Sequence, residues 1–258
     1  MIQMSPIGEQ LRNWRQRRRL SQPDLALDAE ISTRHLSFVE TGRAKPSRDM
    51  ILRLADELDI PLRERNGLLL AGGYAPVFAE RDFGDAALGQ VRTAVETLLA
   101  AHEPFPALAI DRHWTLVAAN QAGSRLIEGV AAHLLTPPVN VLRLSLHPDG
   151  AASRIDNLAE WRAHLLHRLR KQIAATGDSE LIALLEELRG YPAPPATHAN
   201  SSELAVPLVV RTPKGSMSFL STTLLFGAPR DVTLSELAIE IFLPADAATV
   251  ERLRSAGN

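Results

Sequence analysis

The sequence predicts a two-domain chain: an N-terminal domain of five short helices, then an α+β domain built on an antiparallel sheet with helices packed on one face. Three observations lead there. Short apolar-periodic segments, each opened by a capping residue, follow one another through roughly the first seventy residues. A stretch rich in Gly, Pro and charge, GGYAPVFAERDFGDAAL, then interrupts the pattern. Beyond it, strand-like runs separated by turn residues stand on either side of a helical middle. The expected division is residues 1–75, a linker over 76–87, and 88–258.

Composition narrows the class. Of 258 residues, 45% are hydrophobic and 22% charged, as in an ordinary globular protein. No apolar run approaches the roughly 18 to 20 residues of a membrane span, so no membrane partner is expected. MIQMSPIGEQLRNWRQRRRL lacks an apolar core with a cleavage site, which points to a cytoplasmic location. The absence of cysteine excludes disulfides, thiolate catalysis and thiolate metal sites. The net charge of −2 hides an asymmetry: residues 1–65 carry 12 Lys/Arg against 10 Asp/Glu, the remainder 16 against 20. RNWRQRRR concentrates five arginines in eight residues, either a polyanion site or a solvated arginine face.

The first helix is read from Ile7, Leu11, Trp14 and Leu20 and ends near Arg19. Ser21 caps the second, with Pro23 in its first turn, Asp24 in the capping-box position, and Leu25, Ala26 and Ala29 inward. Ser32 caps a third helix carrying Leu36 and Val39, and Gly42 stops it. Ser47 opens a fourth with Ile51, Leu54, Ala55 and Leu58. Pro61 opens a fifth, which ends at Gly72-Gly73.

Two short helices across a tight turn, inside a unit of about seventy residues, form a helix-turn-helix pattern. IGEQLRNWRQRRRLSQPDLALDAEISTRHLSFVETGRAKPS resembles the Cro/C1-type (XRE-like) repressor domain in its LSQ, its HLSFVETGR and the following Pro-Ser. The resemblance implies that the third helix enters the major groove of double-stranded operator DNA. Ser32, Thr33 and Arg34 would then read base edges, with Phe38 one turn on either touching a thymine methyl or filling the core. It further implies phosphate contacts from Ser21 and Gln22, and from Thr41, Arg43, Lys45 and Arg48. Arg15 and Glu40 take the positions of a structural ion pair, and His35 that of a phosphate neighbour or plain surface residue. Because one such domain reads a half-site, a homodimer is expected.

In the second domain a helix is read over 86–101, strands over 107–110 and 114–119, and a helix from about Asn120. Two helices follow in IDNLAEWRAHLLHRLRKQIAATG and SELIALLEELRG. Three further strands are read in ELAVPLVVRTPKG, SMSFLSTTLLFGAPRD and VTLSELAIEIFLPAD. The opening resembles a PAS domain. More narrowly, EPFPALAIDRHWTLVAAN, PPVNVLRLSLHPDG, NLAEWRAHLLHRLR and the final strands resemble the MmyB-like ligand-binding domain. That resemblance implies a PAS-like fold with a cavity for a fatty-acid-like molecule, a small-molecule effector rather than a tightly held cofactor. Candidates for its lining are Trp114, Leu116, Asn120, Trp161, Phe219, Leu224 and Phe226, each of which is otherwise plain core, or, for Asn120, a helix cap.

Other constellations read as structural. Glu160, His164 and His167 share a helical face but are interleaved with Arg162, Arg168, Arg170 and Lys171, so a charged surface is expected and no metal. HPDG at 147–150 is a turn, and Glu186-Glu187 a solvated face. YPAPPATHANSS is read as a loop, and its ANSS as an unused glycosylation acceptor. No nucleophile–base set, P-loop, HExxH or dinucleotide loop occurs, so no enzyme is expected. The expectation is a ligand-responsive regulator of transcription. A constitutive dimeric repressor and a DNA-tethered enzyme stand as alternatives.

Overall fold

The computed structural model describes residues 5–194, 205–213 and 215–256, which leaves the glycosylation-type ANSS outside the described residues. The chain separates into two units. One runs up to Asp82 and includes Ala228–Ser235; the other holds Phe83–Gly227 and continues from Glu236. The division after Asp82 falls inside the Gly/Pro/charge-rich stretch, whereas no local signal marks Ala228–Ser235 for the first unit.

The first unit contains α1 (Ile7–Arg17), α2 (Gln22–Asp28), α3 (Thr33–Glu40), α4 (Arg48–Glu57) and α5 (Leu62–Ala71). Serines set three of the starts: Ser21, Ser32 and Ser47 accept from the backbone N–H of Asp24, His35 and Met50. α1 ends at Arg17, short of the expected Arg19, because Arg19 lies at φ 58°, where a helix cannot continue. Leu11, Leu25, Leu36, Val39, Ile51 and Leu54 are each 0% exposed. At about 1.5–3 kcal/mol per fully buried aliphatic side chain, this core is the main stabiliser of helices too short to persist alone. Gly8 lets α1 approach α3: a Cβ there would stand 2.3 Å from the Val39 carbonyl oxygen.

The second unit runs α6 (Gly89–Ala101), β1 (Ala107–Ile110), β2 (Leu116–Ala119), α7 (Gln121–Leu126), α8 (Val141–Leu146), α9 (Leu158–Thr176), α10 (Ser179–Gly190), β3 (Leu208–Thr212) and β4 (Gly215–Leu225). After β4 the chain enters α11 (Val232–Ser235), within the segment assigned to the first unit. It returns as β5 (Ala238–Pro244) and α12 (Ala247–Ala256). The five strands are ordered β2-β1-β5-β4-β3 and every pair is antiparallel, a PAS-like sheet.

Three expectations need correction. The sheet is covered on both faces: Leu165, Leu169 and Leu185 belong to the core over one, while Val95 and Leu99 of α6 pack on Ala107, Ala109, Ile239 and Ile241 of the other. All four β1 residues are accordingly buried. The second strand begins at Leu116 rather than Trp114, because Trp114 sits at φ 65° in the turn. VTLSELAIEIFLPAD is not one strand. Asp231 Oδ1 accepts from the Thr233 and Leu234 N–H groups and starts α11, so extended structure resumes only at Ala238.

Candidate functional site

On the first unit the candidate surface is the start of α3. Ser32, Thr33 and Arg34 are exposed, and Ser32 spends its hydroxyl accepting from His35 N–H at 3.1 Å. Phe38 is partly exposed and stands apart from the core cluster; the Arg34 guanidinium lies 5.4 Å from its ring centroid. That cation–π contact pre-sets the arginine fork on the outward face.

Ser21 and Gln22 are already engaged within the protein. Ser21 exchanges capping-box hydrogen bonds with Asp24, and Gln22 Nε2 donates to Glu40 Oε2 at 2.7 Å. The Thr41 hydroxyl donates to the Ser37 carbonyl at 2.7 Å, closing α3. The side chains of Arg43 and Arg48 are exposed, and neither has a hydrogen bond or ion pair among the described residues. Exposed Lys45 lies 5.5 Å from the Tyr74 ring. His35 is half-buried.

Behind this surface Arg15 and Glu40 form a two-pronged pair, Nε to Oε1 at 2.7 Å and Nη2 to Oε2 at 2.9 Å. Arg15 is 9% exposed and Glu40 7%. Burial by itself raises the Glu40 pKa, but the hydrogen bonds from Arg15 and Gln22 prevail and hold it below the usual carboxylate range. Of the arginine run, Arg18 is also structural: its Nε donates to the Leu58 carbonyl at 2.7 Å, closing α4.

On the second unit a cavity of about 90 Å³ lies between the sheet and α8–α9. At roughly 10–15 Å³ per water this equals about six to nine waters, below the roughly 300–1,000 Å³ of small-molecule sites. Leu108, Leu142, Leu165 and Phe242 give it an apolar lining, together with the sequence candidates Trp114, Leu116 and Trp161. Both indoles are anchored by their N–H groups, Trp114 Nε1 to Gln172 Oε1 at 2.8 Å and Trp161 Nε1 to Ser145 Oγ at 3.0 Å.

Besides Ser145, a buried ion pair interrupts the lining, and the sequence reading missed it. Arg168 donates to Glu240 at 3.1 and 2.5 Å, Thr223 Oγ1 donates to the same carboxylate at 2.7 Å, and the guanidinium lies over the Trp114 ring at 4.8 Å. Glu240 is 4% exposed, and its charge is offset by this pairing. A lone glutamate in the apolar run AIEIFL was the available signal. Its partner lies 72 residues away, beyond any local pattern.

The remaining lining candidates sit elsewhere. Asn120 caps α7 through Gly123 N–H, accepts from Ala107 N–H, and donates to the Leu99 and Phe105 carbonyls, away from the cavity. Phe219 is 0% exposed in the surrounding core, edge-on to Phe242. Leu224 pairs across strands with Ile239, a residue of the α6-covered face, so it points away from the cavity. Phe226 packs on that same opposite cluster.

Glu160, His164 and His167 form no metal-type cluster among the described residues. His164 stacks on Trp161, and burial, seconded by Arg168, pushes its pKa down. HPDG forms the expected turn, with His147 closing α8. His133, His147 and Asp149 bring one potential ligand atom each within 4.8 Å of the others, although His147 Nδ1 already accepts from Asp149 N–H at 3.0 Å.

Comparison with known proteins gives two family matches. Residues 91–256 match the family described as the MmyB-like transcription regulator ligand binding domain, and residues 6–68 match a helix-turn-helix domain. An uncharacterized HTH-type transcriptional regulator, RghRB of Bacillus subtilis (strain 168), is 37% identical over 78 residues, 30% of this chain and 54% of the relative. The chain thus spans about half the length of the curated relative it matches. The structure of an RNA-binding Light-Oxygen-Voltage receptor is 16% identical over 96% of this chain and 64% of that one. Its TM-score of 0.27 is too low to bear on the fold.

Proposed function

Since the chain belongs to the family of MmyB-like transcription regulators with a helix-turn-helix domain, we propose that it binds operator DNA through α3 and senses a small apolar, fatty-acid-like molecule in its PAS-like domain. The observation that carries the sensing half is the apolar cavity with its two anchored tryptophans. For the DNA half, support comes from outward Ser32, Thr33 and Arg34, with the exposed cations Arg43, Lys45 and Arg48 as the phosphate-facing set. Ser21, Gln22 and Thr41 contribute chiefly by fixing the helix ends.

A homodimer completes this reading, because a single reader covers a half-site. Leu220, Leu224 and Leu243 are 39%, 40% and 43% exposed, on the outer side of β4–β5 that α6 leaves open, and offer an apolar surface for a second copy. Ligand alters operator affinity only insofar as it binds two conformations unequally. The family matches point to a regulator rather than an enzyme.

The test is mass spectrometry of a solvent extract from purified, denatured protein, followed by operator binding with and without the recovered molecule. A stoichiometric apolar molecule that shifts operator affinity is the expected result. An empty extract, with operator affinity indifferent to added lipid, would favour a constitutive dimer instead. Chemical turnover of the recovered molecule by the protein would mean an enzyme.

A further inference from the structure

Within the connection from β4 to β5, the octapeptide Ala228–Ser235 packs with the first unit. Its docking is specific. Val232, 0% exposed, donates its N–H to the Ala79 carbonyl at 2.8 Å, and α11 packs on α5. Asp231, 7% exposed, pairs with Arg81 through Oδ2 while its Oδ1 caps α11. The Thr233 hydroxyl accepts from the Arg81 N–H at 3.3 Å and donates to the Arg81 carbonyl. The receiving strip is itself fastened to α5. Asn66 accepts from the Val77 and Phe78 N–H groups at 3.0 and 3.1 Å and donates to the Phe78 carbonyl at 2.7 Å.

Both ends of the octapeptide lead into strands of the cavity wall. Leu225↔Ala238 is the last rung of the β4–β5 ladder before the excursion. Only Glu236 and buried Leu237 stand between α11 and β5, so the tether spans at most about 11 Å. β5 then supplies Glu240 and Phe242 to the cavity, and Thr223 of β4 bonds the Glu240 carboxylate. Glu236 also lies 3.8 Å from Arg112 Nε, two residues before the wall residue Trp114.

We infer that this crossover carries the sensor's state to the reader: an apolar ligand widens the cavity, shifts β5 and loosens α11 from its seat, so ligand and operator binding oppose each other. This rests on the proposal that the cavity takes an apolar molecule, and it adds the route by which occupancy is read. At about 90 Å³ the cavity is below the roughly 300–1,000 Å³ of ligand sites, so binding selects a wider arrangement. The Arg168–Glu240 pair ties α9 to β5, and parting a buried pair is costly, so outward movement of α9 draws β5 with it. Coupling needs an element with two arrangements that both sites bias, and docked and released α11 are those two. The reader is complete only with the octapeptide docked, which sets the sign. By linkage the operator disfavours the ligand by the same factor, typically about 5- to 150-fold.

The test is hydrogen exchange of the full chain, stripped of co-purified lipid, with and without saturating dodecanoate as the probe. The Val232 and Arg81 amides should exchange about fivefold or more faster with dodecanoate, while those of Val77 and Phe78, held by Asn66, stay unchanged. Asp231→Asn keeps a capping oxygen but removes the charge opposite Arg81, so it should bind dodecanoate about fivefold tighter in calorimetric titration. Thr233→Val, which removes both hydroxyl bonds to Arg81 and leaves the charge pair, should shift affinity in the same direction. Bound dodecanoate with unchanged exchange at Val232 and Arg81 would overturn the inference while leaving the apolar-ligand reading intact. Slower exchange there would also defeat it, since the ligand would then tighten the dock. Dodecanoate affinity unchanged in both variants would make the octapeptide a structural clasp only. If dodecanoate does not bind at all, the apolar-ligand reading falls, and this inference with it.

Discussion

Replacing Glu40 with alanine should destabilise the helical unit far more than its single charge suggests. Three hydrogen bonds disappear together, from Arg15 Nε at 2.7 Å, Arg15 Nη2 at 2.9 Å and Gln22 Nε2 at 2.7 Å. Arg15, 9% exposed, is then left as an uncompensated cation beneath α3. Breaking one side of a buried pair costs about 3–5 kcal/mol. In a domain of this size each kcal/mol moves the midpoint by about 4–8 °C, so a fall of about 12 °C or more is expected. Hydrogen exchange resolved to peptides of α1 and α3 reads this unit separately from the sheet. The Arg15→Leu/Glu40→Leu double variant should recover most of the loss, because neither charge remains buried. The pair also has a pH signature. Glu40 is held below its ordinary pKa of 4.5 in the fold, so its contribution is complete above that value and is lost as pH falls through the lowered one. A Glu40→Ala loss below about 1 kcal/mol, typical of surface pairs, would refute the argument.

Other predictions concern the reading surface and the helix crossing. Arg34→Ala should cost about 1–3 kcal/mol of discrimination between operator and altered operator in gel-shift titrations; equal losses on random DNA would deny it a base contact. Arg43→Ala should weaken all duplexes alike and lower the slope of log affinity against log salt by about one, and a sequence-dependent loss would contradict a phosphate role. Gly8→Ala gains helix propensity yet sets a methyl 2.3 Å from the Val39 carbonyl oxygen, so a net loss of about 1–3 kcal/mol is expected from overpacking. A variant with an unchanged thermal midpoint would show that α1 can withdraw from α3 without cost.

What the sequence disclosed follows from how local each signal is. The caps at Ser21, Ser32 and Ser47 bind amides three residues on, so residue type and spacing suffice to find them. The limits of β1 were legible because Pro106 and Asp111 bracket a short apolar run. Leu224 was misplaced for a different reason. Strand side chains alternate faces, and which parity faces the cavity is set by register with β5, through Leu224↔Ile239, rather than by hydrophobicity. Trp114 was drawn into a strand by its β-propensity, but the turn after Asp111 overrode it. Arg168 and Glu240 join residues from distant elements: the glutamate stands out in its apolar run, but Arg168, read singly, looks like a surface charge.

The assignment of Ala228–Ser235 to the helical unit has a practical side. Arg81 pairs with Asp231, its carbonyl accepts from the Thr233 hydroxyl, and the Val232 N–H donates to the Ala79 carbonyl at 2.8 Å. A gene fragment cut after Asp82 would therefore encode a reader missing eight residues of its own packing, supplied some 150 positions downstream. Grafting this reader onto another sensor, or excising it for crystallography, calls for a tethered copy of that octapeptide rather than a simple truncation.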